Sequence, residues 1–273
     1  MTAAPEMLAD RWLVALDIDG TVLHEDGTLD DSVLAQVRRT SGLGHEVMLA
    51  TGRSVAMTLP VLDRLGITPE YLVCSNGAIT LKRDASAPTG YARHFVETFN
   101  PAEVLTTIKS NLADAHYAVE DDDGLYRFTG FFPDGALGAS SVKVEFDELM
   151  THEATRVVVI SPEHDIEDFL SVVERMGLHK VSYNVGWTAW LDIAPDGVNK
   201  STALERVRAL LDIPRSRVMA VGDGRNDIEM LQWAGHEGRG VAMGQAPVEV
   251  IDVANETTTT DLNAGVAAVL ATF

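Results

Sequence analysis

Leu13-Val14-Ala15-Leu16 is an unbroken apolar run that stops at Asp17-Ile18-Asp19-Gly20-Thr21, and such runs return along the chain. A strand apolar on both sides is covered on both sides, as parallel strands of α/β proteins are; a half-exposed strand would alternate. Glu46-Val47-Met48-Leu49-Ala50 breaks at Thr51-Gly52, Tyr71-Leu72-Val73-Cys74 at Ser75-Asn76-Gly77, and Arg217 to Val221 at Gly222-Asp223-Gly224. Gly240-Val241-Ala242-Met243 is one more such strand. Helical stretches lie between them: from Asp30 or Asp31 to Arg39, Ser54 to Leu65, Asn199 to Leu211, Asp227 to Ala234, and a closing helix from Leu262 to Leu270. Capping residues and glycine stops bound several of these. The pattern predicts an α/β fold whose parallel strands carry acids and glycines at their C-terminal ends, where such sheets bind ligands.

The middle of the chain has another texture. After Arg83 come most of the Phe and Tyr residues, the acidic run Glu120-Asp121-Asp122-Asp123, and a glycine-rich stretch from Gly130 to Gly138. Val157 to Ile160 reads as a strand, His164 to Met176 as a helix, and Lys180 to Val185 with Trp187 to Ile193 as paired strands. An inserted α+β module over residues 84–193, flanked by a core of 1–83 and 194–273, is the expected organisation. Trp187, Trp190 and Tyr183 are expected to pack within that module, and the acidic run to be a solvated loop. Asn76 is expected either to contact substrate or to satisfy a turn.

Charge narrows the partners. The 273 residues hold 41 acids against 21 bases, a formal net charge of −20, which disfavours nucleic acid and anionic membrane surfaces. Hydrophobic residues make up 46%, enough for a sizeable core, so disorder is not expected. One cysteine allows no disulfide within the chain. No apolar run approaches the roughly 18 residues of a spanning helix. The opening MTAAPEMLADRW lacks a basic start followed by an apolar stretch, so a cytoplasmic protein is expected.

Four polar features converge on one edge of the predicted sheet. They are Asp17-Ile18-Asp19-Gly20-Thr21, Thr51-Gly52-Arg53, Lys200, and Gly222 to Asp227. Alone, the first is a polar turn, Thr51 a helix cap, Lys200 a solvated helix start, and the last a capped turn. Together they bring Asp17, Asp19, Asp223 and Asp227 around one crevice, where they repel one another unless a cation intervenes. Hard oxygen donors with no His or Cys suit Mg²⁺. A Mg²⁺ beside a lysine, a threonine hydroxyl and a glycine-rich turn is a site for a phosphoryl group, and an ionised Asp there can act as nucleophile. Rival motifs fail: Asp227 stands where a dinucleotide fingerprint needs its third glycine, and no glycine precedes Lys200 as in a P-loop. The EF-hand and zinc spacings are also missing. Cys74, in an apolar strand, is expected to be a core residue.

In this order, DIDGT at Asp17, Thr51 of LATGR, Lys200 and GDGRND at Asp223, the chain resembles the haloacid dehalogenase-like superfamily of phosphatases. Ser75-Asn76-Gly77-Ala78, the large insertion and the closing DLNAGVAAVL resemble its Cof-type branch. The resemblance implies a Rossmann-like parallel-sheet core with helices on both faces and an inserted cap over the site. It also implies a Mg²⁺-dependent phosphatase of small phosphorylated metabolites, sugar phosphates or phosphorylated cofactors. Asp17 would be the nucleophile, and Asp19 the acid and then base. Thr51 and Lys200 would hold the phosphoryl group, with Gly20, Gly52 and Asn226 among the phosphate contacts and Arg53 on the leaving group. Asp17, the Asp19 carbonyl and Asp223 would hold Mg²⁺, with Asp227 behind them orienting Lys200. A phosphomutase or a catalytically silent binding protein on the same fold are the alternatives; intact Asp17, Asp19, Lys200 and Asp223 weigh against the silent one.

Overall fold

The computed structural model describes residues 10–133, 136–137, 140–178, 181–185 and 189–273. Among these residues, five strands form the parallel sheet that the apolar runs predict. They are β1 (Leu13–Leu16), β2 (Glu46–Leu49), β12 (Val218–Gly222), β13 (Arg239–Ala242) and β14 (Glu256–Thr257), numbered in chain order. Their spatial order is β14-β13-β12-β1-β2, with every neighbouring pair parallel. β3 (Tyr71–Cys74) lies beside β2 through a single parallel bridge between Ala50 and Val73.

Alternation along each buried strand feeds two cores. Val14, Leu16, Val47 and Leu49 pack on the side of helices α1 (Asp31–Gly42), α2 (Val55–Leu65) and α8 (Gly265–Leu270). Leu13, Ala15, Met48 and Ala220 face α5 (Lys200–Leu210), α6 (Ile228–Gly235) and α7 (Val248–Ile251) on the other side. Helices therefore cover both faces, which explains why β1 carries no polar residue. From β1 the chain moves outward to β2, and from β12 it moves the opposite way to β13. The reversal lies between β1 and β12, where open α/β sheets form their ligand crevice. Asp17 follows the last residue of β1 and Asp223 the last of β12.

A ribbon absent from the expected elements straddles residue 84, the expected boundary of the insertion. β4 (Ile79–Arg83) and β5 (Tyr91–Val96) run antiparallel beside β3, and Tyr91 packs into the first core. A second sheet follows, in the order β10-β11-β9-β6-β7-β8. Its strands are β6 (His116–Glu120), β7 (Tyr126–Phe128), β8 (Ser141–Lys143), β9 (Arg156–Ile160), β10 (Val181–Val185) and β11 (Trp190–Pro195). One face, with Tyr117, Val119, Val157, Val159, Leu191 and Ile193, packs on α3 (Ala102–Asn111) and α4 (Ile166–Met176). The expected β9, α4, β10 and β11 are found, although Lys180 and Trp187 lie outside the described residues. No helix among the described residues is long and apolar enough to cross a membrane.

The acidic run divides: Asp121 to Asp123 form the loop expected, with Asp122 and Asp123 exposed, but Glu120 does not belong to it. Glu120 ends β6 with 0% exposure, accepting hydrogen bonds from Ser75 Oγ (2.9 Å) and the Tyr126 hydroxyl (3.1 Å). A charge read from composition alone looks solvated, but strand pairing carries this one inward. Burial raises the Glu120 pKa above its ordinary value, against the pull of Arg156 nearby. The folded state thus keeps a proton that the unfolded chain loses above about pH 4.3, and stability declines as pH rises from there through the raised value. Glu120→Gln should flatten that decline: between pH 5 and 8 the urea midpoint should fall less in the variant than in the wild type. Parallel slopes would mean that the carboxyl ionises as it does in water.

Candidate active site

Asn199 caps α5, its side chain accepting from the Thr202 N–H at 3.0 Å, so Lys200 becomes the first helical residue at the crevice. Its side chain is fully buried, and Nζ donates to Asp17 Oδ1 at 2.7 Å and Asp227 Oδ1 at 2.6 Å. The other Asp227 oxygen accepts from the backbone N–H groups of Asp223 (3.1 Å) and Gly224 (3.0 Å). Gly222 makes this possible, because a Cβ there would stand 2.4 Å from the Asp227 carboxyl carbon. Asp227 is thus tied to Lys200 and to the turn that carries Asp223.

Asp223 sits over Gly20. Gly20 has φ +69°, and a Cβ on it would meet Asp223 Oδ2 at 2.2 Å, so only glycine admits this approach. Thr21 Oγ1 donates to Asp223 Oδ1 at 3.2 Å, and Gln245 Nε2 reaches the Gly20 carbonyl at 2.5 Å. Gln245, more than two hundred residues from Gly20, carried no signal in the sequence. Carboxylate oxygens of Asp17, Asp223 and Asp227 lie within 4.8 Å of one another. Burial, then the charge of Asp227, raises the Asp17 pKa well above the carboxylate range. The same two causes push Asp223 up to about 7. Burial works against the Lys200 ammonium, but Asp17 and Asp227 outweigh it and raise its pKa. One lysine therefore leaves carboxylate charge uncompensated. Asp227 accepts from the ammonium and two backbone N–H groups. Asp17 has the ammonium on one oxygen, and Asp223 has only the long contacts from Thr21 (3.2 Å) and Gln245 (3.4 Å), so Asp17 and Asp223 are the acids better placed to hold a hard cation.

The remaining expected residues gather on the cap side of this cluster. Asp19 is the exposed member, its side chain 60% accessible, and it receives Arg53 Nε at 2.9 Å on Oδ2. Arg53 therefore meets the side chain expected to act as acid and base. Thr51 is buried and is not the cap of α2, a position taken by Ser54; its Oγ1 accepts from the Arg53 N–H at 3.1 Å. Asn226 Nδ2 donates to Asn76 Oδ1 at 3.0 Å across Gly52. Asn76 thus does more than satisfy a turn. Ser75, Asn76 and Gly77 all have positive φ, a tight turn that aims Asn76 at the crevice and Ser75 at Glu120. Asp17, Asp19, Thr51, Gly52, Arg53 and Asn226 line one cavity of 310 Å³. Gly20 lines a neighbouring 560 Å³ cavity with His24 and Gln245, on the other side of Asp223. Cys74 is buried, and burial pushes its thiol up to about 12, which keeps it protonated.

The inserted sheet closes the first cavity. β10 lies against the Arg225–Asp227 turn, and Arg156, Val185, Trp190 and Asp192 complete the lining. The aromatic cluster expected in this module divides. Trp190 packs edge-on to Phe132 and also faces the cavity, whereas Tyr183 is exposed. Arg156 and Asp192 drew no notice as sequence, because each is one charged residue at the edge or in the middle of an apolar run.

The family described as haloacid dehalogenase-like hydrolase matches residues 14–270 of the chain. Over 267 residues the chain is 27% identical to the 5-amino-6-(5-phospho-D-ribitylamino)uracil phosphatase of Bacillus subtilis (strain 168), covering 94% of this chain and 95% of that protein. It is 27% identical over 244 residues to the HMP-PP phosphatase of Yersinia pseudotuberculosis, covering 86% and 84%. Among solved structures, its fold matches a HAD subclass IIB sugar phosphatase with TM-score 0.80 at 20% identity, covering 96% of this chain and 98% of that one. A haloacid dehalogenase-like hydrolase from B. subtilis matches with TM-score 0.78 at 22% identity, covering 94% and 98%.

Proposed function

The chain belongs to the haloacid dehalogenase-like hydrolase family, and from that premise we propose that it is a Mg²⁺-dependent phosphatase of small phosphorylated metabolites. The observation that carries this reading is the fully buried Lys200 ammonium shared between Asp17 and Asp227, behind the cavity wall that Asp17 and Asp223 line. Such an arrangement is built to hold concentrated negative charge. Relatives named as phosphatases of a ribitylaminouracil phosphate and of HMP-PP support a small phosphorylated substrate.

The residues divide the work as follows. Asp17 Oδ1 is held by Lys200, and no described residue donates a hydrogen bond to Oδ2, which leaves that oxygen to attack phosphorus. The P–O(ester) bond breaks as the Asp17–phosphorus bond forms, and Asp19 gives its proton to the departing oxygen. Water then attacks the aspartyl-phosphate, Asp19 takes its proton, and inorganic phosphate leaves with Asp17 restored. Asp19 suits both stages because it is the accessible acid and Arg53 steadies it. Thr51, Gly52 and Asn226 hold the phosphoryl oxygens. Lys200, expected beside Thr51 in that role, is fully buried with Nζ on Asp17 and Asp227 and so acts on the phosphoryl group from behind Asp17. Asp17, Asp223 and the Asp19 carbonyl would hold Mg²⁺, which when bound would offset the charge of the phosphoryl group.

The experiment is phosphate release from p-nitrophenyl phosphate and from a panel of phosphorylated metabolites, ranked by kcat/KM. Release should stop with EDTA and return when Mg²⁺ is added in excess. Full activity after exhaustive chelation would overturn the metal assignment. Stoichiometric transfer to an alcohol, without sustained release of inorganic phosphate, would favour the phosphomutase reading.

A further inference from the structure

Alternation divides the cap sheet into two faces. The face away from α3 and α4 carries Glu120, Tyr126, Arg156, Trp190 and Asp192, a polar chain with no counterpart on the packed side. Ser75 Oγ and the Tyr126 hydroxyl both donate to Glu120 Oε2. Arg156 Nη1 donates to the Tyr126 oxygen at 3.2 Å, and Nε to Asp192 Oδ1 at 2.6 Å. Trp190 Nε1 donates to Asp192 Oδ2 at 3.2 Å. The chain runs unbroken from the strained Ser75 turn of the core to the wall of the catalytic cavity. A buried ion pair gives little stability over apolar residues of similar size, so stability alone does not account for Arg156 and Asp192 here.

Each Asp192 oxygen has one donor from the cap and can accept another. Ionised, it can only accept, so whatever meets it must present N–H or O–H. The same cavity takes apolar surface from the Trp190 indole and Val185 of the cap and from Met57 of α2, among charged residues that include Arg156 and Arg225. The indole face of Trp190 beside the Asp192 carboxylate, on the cap wall of the cavity, suits a planar group bearing a donor on its edge. We infer that Trp190 and Asp192 select the leaving group, favouring a planar ring that carries an N–H or O–H donor away from its phosphate. Arg156, Tyr126 and Glu120 act as positioning residues that fix the Asp192 carboxylate from behind. This inference rests on the phosphatase reading above and gives it a substrate class.

Three esters test it. p-Aminophenyl phosphate is flat and carries a donor, p-nitrophenyl phosphate is flat without one, and glucose 6-phosphate has donors but no flat face. The wild type, Asp192→Asn and Trp190→Leu are compared by ratios of kcat/KM, so the intrinsic reactivity of each leaving group cancels. Asp192→Asn should lower the aminophenyl-to-nitrophenyl ratio by about tenfold, the loss of one hydrogen bond to a charged acceptor. Trp190→Leu should lower the aryl-to-sugar ratios by a similar factor, and it leaves the Arg156–Asp192 pair in place should Asp192→Asn fold poorly. A ratio that stays within twofold of the wild type overturns the role of that residue, even if all three rates fall together. If the wild type releases phosphate from none of the three with Mg²⁺ present, the phosphatase reading itself fails.

Discussion

Asp17→Asn should lower phosphate release by on the order of 10⁴-fold or more, the largest effect of any single substitution in this protein. The amide keeps an oxygen that can accept from Lys200 Nζ, now 2.7 Å from Asp17 Oδ1, so the local geometry has no reason to collapse. It removes one charge from a cluster that holds too many, so the metal-free fold should be no less stable. Loss of activity without loss of fold would identify a chemical role. Trapping with a ³²P-labelled substrate sharpens the result: the wild type should carry acid-stable label on the chain, and the variant none. Activity within tenfold of the wild type would sink the assignment of Asp17 as nucleophile.

Lys200→Met should do the reverse, damaging fold and activity together. Methionine fits the space, but Asp17 and Asp227 then face each other inside the protein without a cation. Removing one partner of a buried ion pair costs about 3–5 kcal/mol. For a chain of this size, that lowers the melting temperature by on the order of 10 °C. The loss should ease at acid pH, because protonated carboxyls no longer need the lysine. Differential scanning of wild type and variant at pH 5 and pH 8 measures this; equal melting temperatures at both would show that the ammonium carries no structural charge balance.

Much of the core was legible in the residues. β1, β2 and β12 announce themselves because burial on both faces forbids polar side chains, and α5 because Asn199 caps it. The acids and glycines of the site sit immediately beyond those strands, where the topology reverses, so motif and fold pointed to one crevice. The rest was hidden for physical reasons. All three residues of β8 are exposed and β14 has two residues, so neither leaves a periodic trace. β6 hid its buried Glu120 inside what reads as an acidic loop, since no local rule tells a charge which neighbours will desolvate it. Asn76, Gln245 and Asp192 act through partners far away in sequence. Their contacts exist only after the chain has folded.

The two-sided cap sheet also bears on how this enzyme can change. One set of alternating positions packs on α3 and α4; on the other, Val158 is buried with Tyr126 and Phe132, and only Arg156, Trp190 and Asp192 reach the cavity. Trp190 can therefore vary without drawing on the stability margin that the first set supplies, whereas Asp192 shares hydrogen bonds with Arg156 and Trp190 and should not combine additively with them. Changes confined to position 190, which lines the cavity, should yield folded variants of altered selectivity at a high rate. Changes at 157, 159, 191 and 193 should yield mostly aggregates. A single sheet thus separates evolvability from foldability by one residue of register.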